Sequence, residues 1–312
     1  MIHKHCKIYI AGHNGMVGSA CYRALTRNGF NNLIVKSSID LDLTNQSLVL
    51  DFIADEKPDV IINAAAKVGG ILANDTYPYE FLMQNLLIQN NLIQASHMFN
   101  ISKFVFLGSS CVYPKFAEQP IKEEYLMTGP LEPTNEWYAI AKITGIKLIE
   151  SLRKQYNRDY IALMPTNLYG PGDNFDLKTS HVLPALLKKF HDAKLNNRPH
   201  VNIWGSGKPL REFLHVDDLA KAVIHILNKN NLPYHLYNVG TGLDISINDL
   251  AKLIKEIIGF KGEIKFDKSK PDGTPRKLLD ITRISTLGWN PEKELNQGIR
   301  EVYDWFIKNK VN

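Results

Sequence analysis

Lys7-Ile8-Tyr9-Ile10-Ala11-Gly12-His13-Asn14-Gly15-Met16-Val17-Gly18-Ser19-Ala20 is the stretch on which the fold turns. Residues 7–11 form a short apolar run of strand length, and the spacing from Met16 onward predicts a helix over residues 16–28. Between them lie three glycines in a GxxGxxG spacing. Glycine permits a tight turn and lets backbone N–H groups approach a pyrophosphate, whose charge a helix N-terminus favours. Such a string is weak evidence alone. Between a strand and a helix that open a βαβ unit, it reads as a dinucleotide loop carried by Gly12, Asn14, Gly15, Met16, Val17 and Gly18.

Working outward, strands are predicted at residues 33–36, 60–64, 104–107 and 160–165, and helices at 46–56, within 78–99, and at 137–156. Apolar strands alternating with amphipathic helices imply a parallel sheet covered on both faces, a Rossmann-type doubly wound α/β fold. After Gly170 the pattern loosens, and Pro171, Gly172, Gly205, Gly207 and Pro209 interrupt it. A smaller mixed α/β C-terminal substrate lobe is expected there. The expected division is a dinucleotide-binding domain over 1–170, with 217–240 returning to its sheet, and a substrate-binding lobe over 171–312.

The 312 residues are 44% hydrophobic and 22% charged, ordinary for a globular chain. No apolar run approaches the roughly 20 residues a bilayer span needs, and the polar first six residues make a poor signal peptide. A cytoplasmic protein is expected. Cys6, Cys21 and Cys111 are widely separated, which predicts neither a disulfide framework nor a metal site. The net charge of +5 comes from scattered Lys and Arg. That argues against nucleic-acid binding and suits an anionic nucleotide substrate.

The end of the second strand bears on cofactor choice. An NAD site usually offers an acidic residue there for the ribose hydroxyls. This chain has Val35-Lys36-Ser37-Ser38, a cation and two hydroxyls suited to a 2′-phosphate, so NADP(H) is expected. Asp40 and Asp42 follow closely, and Lys36 is equally readable as a solvated loop lysine.

Ser109-Ser110-Cys111-Val112-Tyr113 follows the fourth strand, at the carboxyl edge where open α/β sheets hold ligands. Tyr138 and Lys142 stand one helical turn apart, so both side chains share a face. An ammonium beside a phenol favours phenolate, so Lys142 is expected to lower the Tyr138 pKa and make it a usable proton donor to a carbonyl receiving hydride. Ser109 is placed to hold the same carbonyl oxygen.

With these stretches in order, the chain resembles the extended short-chain dehydrogenase/reductase family, and within it the enzymes that act on GDP-linked 4-keto-6-deoxy-sugars. The resemblance also rests on residues 63–71 (NAAAKVGGI), 107–114 (LGSSCVYP), 165–170 (PTNLYG), 181–185 (HVLPA) and 204–207 (WGSG). It implies NADPH-dependent reduction at C4 with epimerisation at C3 and C5, giving GDP-L-fucose. The alternative is a C4-reductase of another GDP-4-keto sugar, deoxyhexose or heptose, without epimerase activity. The family's proton-moving cysteine and histidine match Cys111 and His181, where the residues alone are equally readable as an inert buried thiol and a helix-capping or surface imidazole. The resemblance further implies cofactor contacts from Ser37, Asp42, Leu43, Ala64, Ala65, Leu107, Lys142, Pro165, Asn167, Leu168 and His181. It implies substrate contacts from Lys189, Trp204, Arg211 and Asp272. Lys189 is also readable as an amphipathic-helix lysine, and Trp204 as core. Where relatives often carry Arg in the glycine loop and at the second strand's end, this chain has Asn14 and Ser38. The resemblance also implies a homodimer pairing helices around residues 85–95 and 139–152, whose apolar positions are equally readable as helices packed within one chain.

Overall fold

The computed structural model describes residues 2–270 and 272–311; Met1 and Asn312, the outermost residues of the two expected domains, lie outside them. In chain order the first part runs β1 (Ile8–Ala11), α1 (Met16–Arg27), β2 (Leu33–Ile34), α2 (Gln46–Glu56), β3 (Val60–Asn63), α3 (Ile71–Thr76), α4 (Pro78–Met98), β4 (Lys103–Leu107), α5 (Glu136–Tyr156) and β5 (Asp159–Pro165). The second part holds β6 (Asn167–Tyr169), α6 (Val182–Leu195), β7 (His200–Trp204), β8 (Leu210–His215), α7 (Val216–Leu227), β9 (Leu236–Val239), β10 (Asp244–Ser246), α8 (Ile247–Ile258), β11 (Glu263–Asp267), β12 (Arg276–Lys277), α9 (Thr282–Thr286) and α10 (Leu295–Phe306).

Six strands form one parallel sheet in the order β2-β1-β3-β4-β5-β9. Every residue of β1, β3 and β9 is buried, which explains why these strands read as unbroken apolar runs rather than alternating ones. Ile8 and Ile10 pack into one cluster with Leu25, Leu219 and Val223 of α1 and α7. Tyr9 and Ala11 face a second cluster with Ile53, Leu92 and Ile146 of α2, α4 and α5. The strand period of two thus sends alternate side chains into two helical layers, and burying each large aliphatic contributes about 1.5–3 kcal/mol. The connection order reverses between β1 and β3, which opens a crevice at the carboxyl edge. The doubly wound sheet is the one the sequence predicts.

Two local readings change. The strand predicted at 33–36 is only Leu33–Ile34, because the Ser37 backbone N–H and hydroxyl both donate to Asp40 and start a turn at once. α3 was not expected; it follows Gly70, and Asn74 Nδ2 donates to the Gly69 and Gly70 carbonyls at 2.8 and 3.0 Å. α4 then begins with Pro78 at its first turn, where a missing N–H costs nothing.

In the second part, β8 pairs antiparallel with β10 and parallel with both β12 and β6, while β7 and β11 form a parallel pair. A third cluster, with Leu187, Phe190, Leu250, Ile254 and Val302, joins α6, α8 and α10. Glu212 of β8 is fully buried. Its carboxylate accepts from Thr241 N at 2.6 Å, Gly242 N at 2.7 Å and Leu279 N at 3.0 Å. Asp217 pairs with Arg23 at 3.1 Å, and Asp218 accepts from the Glu292 and Lys293 backbones. Both aspartates are thereby engaged in holding neighbouring segments together.

Candidate active site

The glycine loop follows β1 directly. Gly12 has φ +81°, and a Cβ there would lie 2.7 Å from the Ala65 backbone, so only glycine fits. A Cβ on Gly18 would lie 2.1 Å from the Gly12 carbonyl. Gly15 caps α1 without a side-chain hydrogen bond, which leaves the first-turn N–H groups of α1 facing the crevice for an anion. Asn63 Nδ2 and His13 Nδ1 are buried without a partner at the same edge. This cradle fits a dinucleotide pyrophosphate. Met16, Val17, Ala64 and Leu168 pack together around the cluster beneath α1, while Ala65 and Leu43 pack against the opposite one. Asn14 and Gly15 are exposed, as is Lys36. Asp42 is turned into its own loop, accepting from Thr44 N and Oγ1.

Beyond β4, Ser109 Oγ accepts from the Cys111 N–H at 3.3 Å, so its own hydroxyl proton is left to donate. Cys111 is buried in the following turn. Burial pushes its thiol pKa up; Lys277 is the strongest influence pulling down, followed by Ser109 and Lys142. Lys142 is buried on α5 and donates to the Leu107 carbonyl at 2.9 Å. Its Nζ lies 5.7 Å from the centroid of the Tyr138 ring and 4.8 Å from that of Phe106. Burial lowers its pKa to about 8.

One expectation is corrected here. Lys142 does not bring the Tyr138 phenol down: burial pushes it well up, with Cys111 adding to the push. The ammonium is engaged by a carbonyl and stands beside the ring, not at the hydroxyl. Tyr138 therefore holds its proton at neutral pH. Such a phenol is a donor with its proton in place.

His181 is the N-cap residue of α6, yet its side chain makes no capping hydrogen bond, which removes the capping alternative. Solvent reaches the imidazole, but the protein packed around it, and then the Lys277 ammonium, lower its pKa below the ordinary value. Lys277 thus bears electrostatically on both Cys111 and His181.

Residues 8–240 match the NAD dependent epimerase/dehydratase family. A protein of Escherichia coli (strain K12) named GDP-L-fucose synthase is 53% identical over 313 residues, covering 97% of both chains. GDP-L-fucose synthase 1 of Arabidopsis thaliana is also 53% identical, over 100% of this chain and 96% of that protein. Among solved structures, the GDP-mannoheptose C4 reductase MlghC of Campylobacter jejuni, with NADP bound, superposes with a TM-score of 0.91 at 40% identity, over 98% of this chain and 99% of that one.

The chain belongs to the NAD dependent epimerase/dehydratase family.

In this family member, the wall expected opposite the sheet edge draws on the second half of the chain. Trp204 is 56% exposed, so it is no core residue; Lys189 and Lys270 stand 5.5 and 5.7 Å from the centroid of its ring. Lys189 also donates to the Asn202 carbonyl at 3.2 Å. Asp272 accepts from Ser206 N at 2.6 Å and Ser206 Oγ at 2.8 Å, which binds the 205–207 turn to the segment before β12. Arg211 donates to its neighbour's carbonyl, Leu210 O, and feels Asp272 and Glu132. Asn167 Nδ2 donates to the Glu212 carbonyl at 2.8 Å, and Pro165 ends β5 beside Val239.

Sequence reasoning missed Lys277, Glu132 and Glu212. Lys277 sits on a two-residue strand paired with Arg211, and it shares a small cavity with Cys111 and Glu132. No motif marks it. The only signal is pairing across β8, which appears once the chain is folded.

Proposed function

We propose that this chain reduces the C4 keto group of GDP-4-keto-6-deoxy-D-mannose after epimerising C3 and C5, giving GDP-L-fucose. The observation that carries this reading is the full-length 53% identity to proteins named GDP-L-fucose synthase, joined to a cleft where Cys111, Tyr138 and Lys142 lie within electrostatic reach of one another. The heptose reductase stands further away at 40%, and the two carbon-acid groups argue for epimerisation beyond reduction.

On this reading NADP(H) lies along Gly12, Asn14, Gly15, Met16, Val17 and Gly18, with Lys36 and Ser37 toward the 2′-phosphate. When bound, it supplies the hydride. The same assignment places Asp42, Leu43, Ala64, Ala65, Leu107, Pro165, Asn167 and Leu168 along it. The C4 keto group acidifies the protons on C3 and C5; Cys111 and His181 remove one and return one on the opposite face. His181, its cation disfavoured, and Cys111, its proton held by burial, exchange roles as each proton moves. Tyr138 then gives its phenolic proton to the C4 oxygen, which the Ser109 hydroxyl holds. Lys142 fixes that end of α5 against β4. Arg211 and Lys189 present cations to the diphosphate, with Trp204 and Asp272 beside them.

We further propose that residues 1–170 with 217–240 form the cofactor half and the rest of 171–312 the substrate half. The protein is proposed to work in the cytoplasm; among the described residues no helix is long and apolar enough to cross a membrane. A homodimer through α4 and α5 is supported by Tyr79, Met83 and Leu87, exposed at i, i+4 and i+8 on α4.

The test is NADPH consumption with GDP-4-keto-6-deoxy-D-mannose and NMR of the product formed in D2O. Deuterium at C3 and C5 is expected, and its absence sinks the epimerase step. Tyr138→Phe should slow NADPH oxidation by about 10²–10⁴-fold while cofactor binding persists; a wild-type rate overturns the assignment.

A further inference from the structure

We infer that the Lys277 ammonium is the counter-cation of a Cys111 thiolate, so that Lys277 is a positioning residue for the proton-abstracting group. This rests on the reading of Cys111 above and deepens it.

The cavity beside Cys111 is lined by three cations, Lys115, Arg276 and Lys277, and one carboxylate, Glu132. Lys115 is taken up by Glu132 at 3.0 Å, and Arg276 by Asp244 at 2.6 Å. Among the described residues Lys277 forms no ion pair. A half-buried ammonium left without a carboxylate in a narrow cavity is costly unless an anion answers it. Of the other titratable groups lining that cavity, Glu132 is held by Lys115 and the Tyr113 hydroxyl donates to Asn238, which leaves the Cys111 thiol.

The charge relations run the same way from both sides. Burial raises the Cys111 thiol, and Lys277 opposes it more strongly than does Ser109 or Lys142. Burial lowers the Lys277 ammonium, and Cys111 is the largest influence raising it. The remaining charged or titratable groups that bear on Cys111 do not compete. Lys142 is engaged by the Leu107 carbonyl, Tyr138 holds its proton, and Glu132 is paired.

Lys277 is also held in place, as a counter-ion must be. β12 is in register with β8, Lys277 opposite Arg211. Two residues on, the buried Glu212 carboxylate accepts from Leu279 N, and between them Leu278 is gripped through its N–H by Gln119 and through its carbonyl by Ile121 N at 2.7 Å. A buried carboxylate thus fixes the backbone that aims the cation. The same ammonium disfavours a cationic His181, so one lysine keeps that imidazole neutral to take a proton and answers the thiolate left when Cys111 gives one up.

The experiment is the pH dependence of Cys111 alkylation by iodoacetamide in the whole protein without substrate, resolved by peptide mass spectrometry so that Cys6 and Cys21 are counted apart. Lys277→Met should raise the midpoint by about one pH unit or more and slow alkylation roughly tenfold below it, whereas Lys277→Arg should stay near wild type. A Lys277→Met profile that coincides with wild type, or a Lys277→Arg profile displaced as far as Lys277→Met, overturns the pairing. Should circular dichroism show Lys277→Met unfolded, Lys277→Gln is judged by the same criterion. A lysine that served only a substrate diphosphate would leave this substrate-free profile unmoved. Solvent deuterium exchange in Cys111→Ser separates the underlying reading: wild-type exchange there removes Cys111 as a base, while the alkylation profile still decides the pairing.

Discussion

The two walls of the cleft are built differently. On the sheet side, Gly12, Gly15 and Gly18 fall within one short loop and the helix turn after it, and Tyr138 and Lys142 are one helical turn apart; each group is set by its own strand end or helix. On the facing side, Lys189, Trp204, Arg211, Asp272 and Lys277 come from α6, β7, β8, a loop and β12, and they are joined by the pairing of β8 with β12, that of β7 with β11, and the bonds of Ser206 to Asp272. The first wall is local geometry docked on a sheet. The second is assembled by long-range pairing around one buried carboxylate, Glu212. Local walls resist change in distant residues, whereas assembled walls fail where their fastener fails.

The largest effect tests the sheet side. Lys142→Met should cut reductase activity by roughly 10²–10⁴-fold without lowering Tm at pH 7, because it removes a buried ammonium whose burial costs up to about 3 kcal/mol. The sign follows from the depressed pKa. The folded chain sheds this proton near pH 8 and the unfolded chain near 10.5, so the wild type gains stability relative to Lys142→Met as pH rises between those values. Thermal melts across that window check it; a gap that widens with pH contradicts the buried-ammonium account.

Next comes the facing wall. Glu212→Gln places an amide where one carboxylate oxygen accepts from Leu279 or the other from Thr241 and Gly242, so at least one buried N–H loses its acceptor, at about 1–3 kcal/mol. Beyond that loss in denaturant melts, the proposed substrate KM should rise while NADPH affinity holds. Equal losses on both sides would erase the contrast between the walls.

This contrast also explains what was legible beforehand. The sheet and the Ser109, Tyr138 and Lys142 set are written in short-range spacing, which period and motif expose. The bounds of α2 agree with the reading to the residue, because Asn45 caps it and Lys57 ends it in the left-handed region. Lys277 and Glu212 have no such signature, since their meaning lies in partners 29 to 166 positions away. The direction of the Tyr138 shift was misread for a related reason: spacing puts Lys142 on the right face, but only packing shows that its ammonium meets Leu107.

Between the walls runs the loop after β6, where Asp173 is 7% exposed. Burial pushes its pKa up to about 7, against one backbone bond from Asn174, and Oδ2 has no partner. A raised carboxyl makes the folded chain bind the extra proton, so this group costs stability as pH rises from about 4 to 7. Asp173→Asn should remove that slope, about 1 kcal/mol between pH 5 and 6. Melts over this range check it, and parallel wild-type and variant curves would show the carboxylate already solvated.

The smallest effect lies at the outer end of the sheet wall, where Lys36 is exposed, its Nζ 5.9 Å from the centroid of the Phe52 ring. Asp40, the acid nearest in sequence, is drawn into the Ser37 turn at 2.6 Å, and Asp42 into the Thr44 turn at 2.7 Å. Neither carboxylate is therefore left free for a ribose hydroxyl, and on the proposed reading Lys36 is the group that remains for a 2′-phosphate. An exposed charge pair is worth about 0.2–1 kcal/mol, so Lys36→Ala should lower the preference for NADPH over NADH by only about two- to fivefold, read as the ratio of kcat/KM for the two cofactors. Ser38→Arg, adding a cation at this end of the wall, should raise the ratio by a similar factor. If Lys36→Ala instead abolished discrimination, this end of the wall would depend on a single side chain rather than on the backbone of a local turn, and the distinction between the two walls would narrow there.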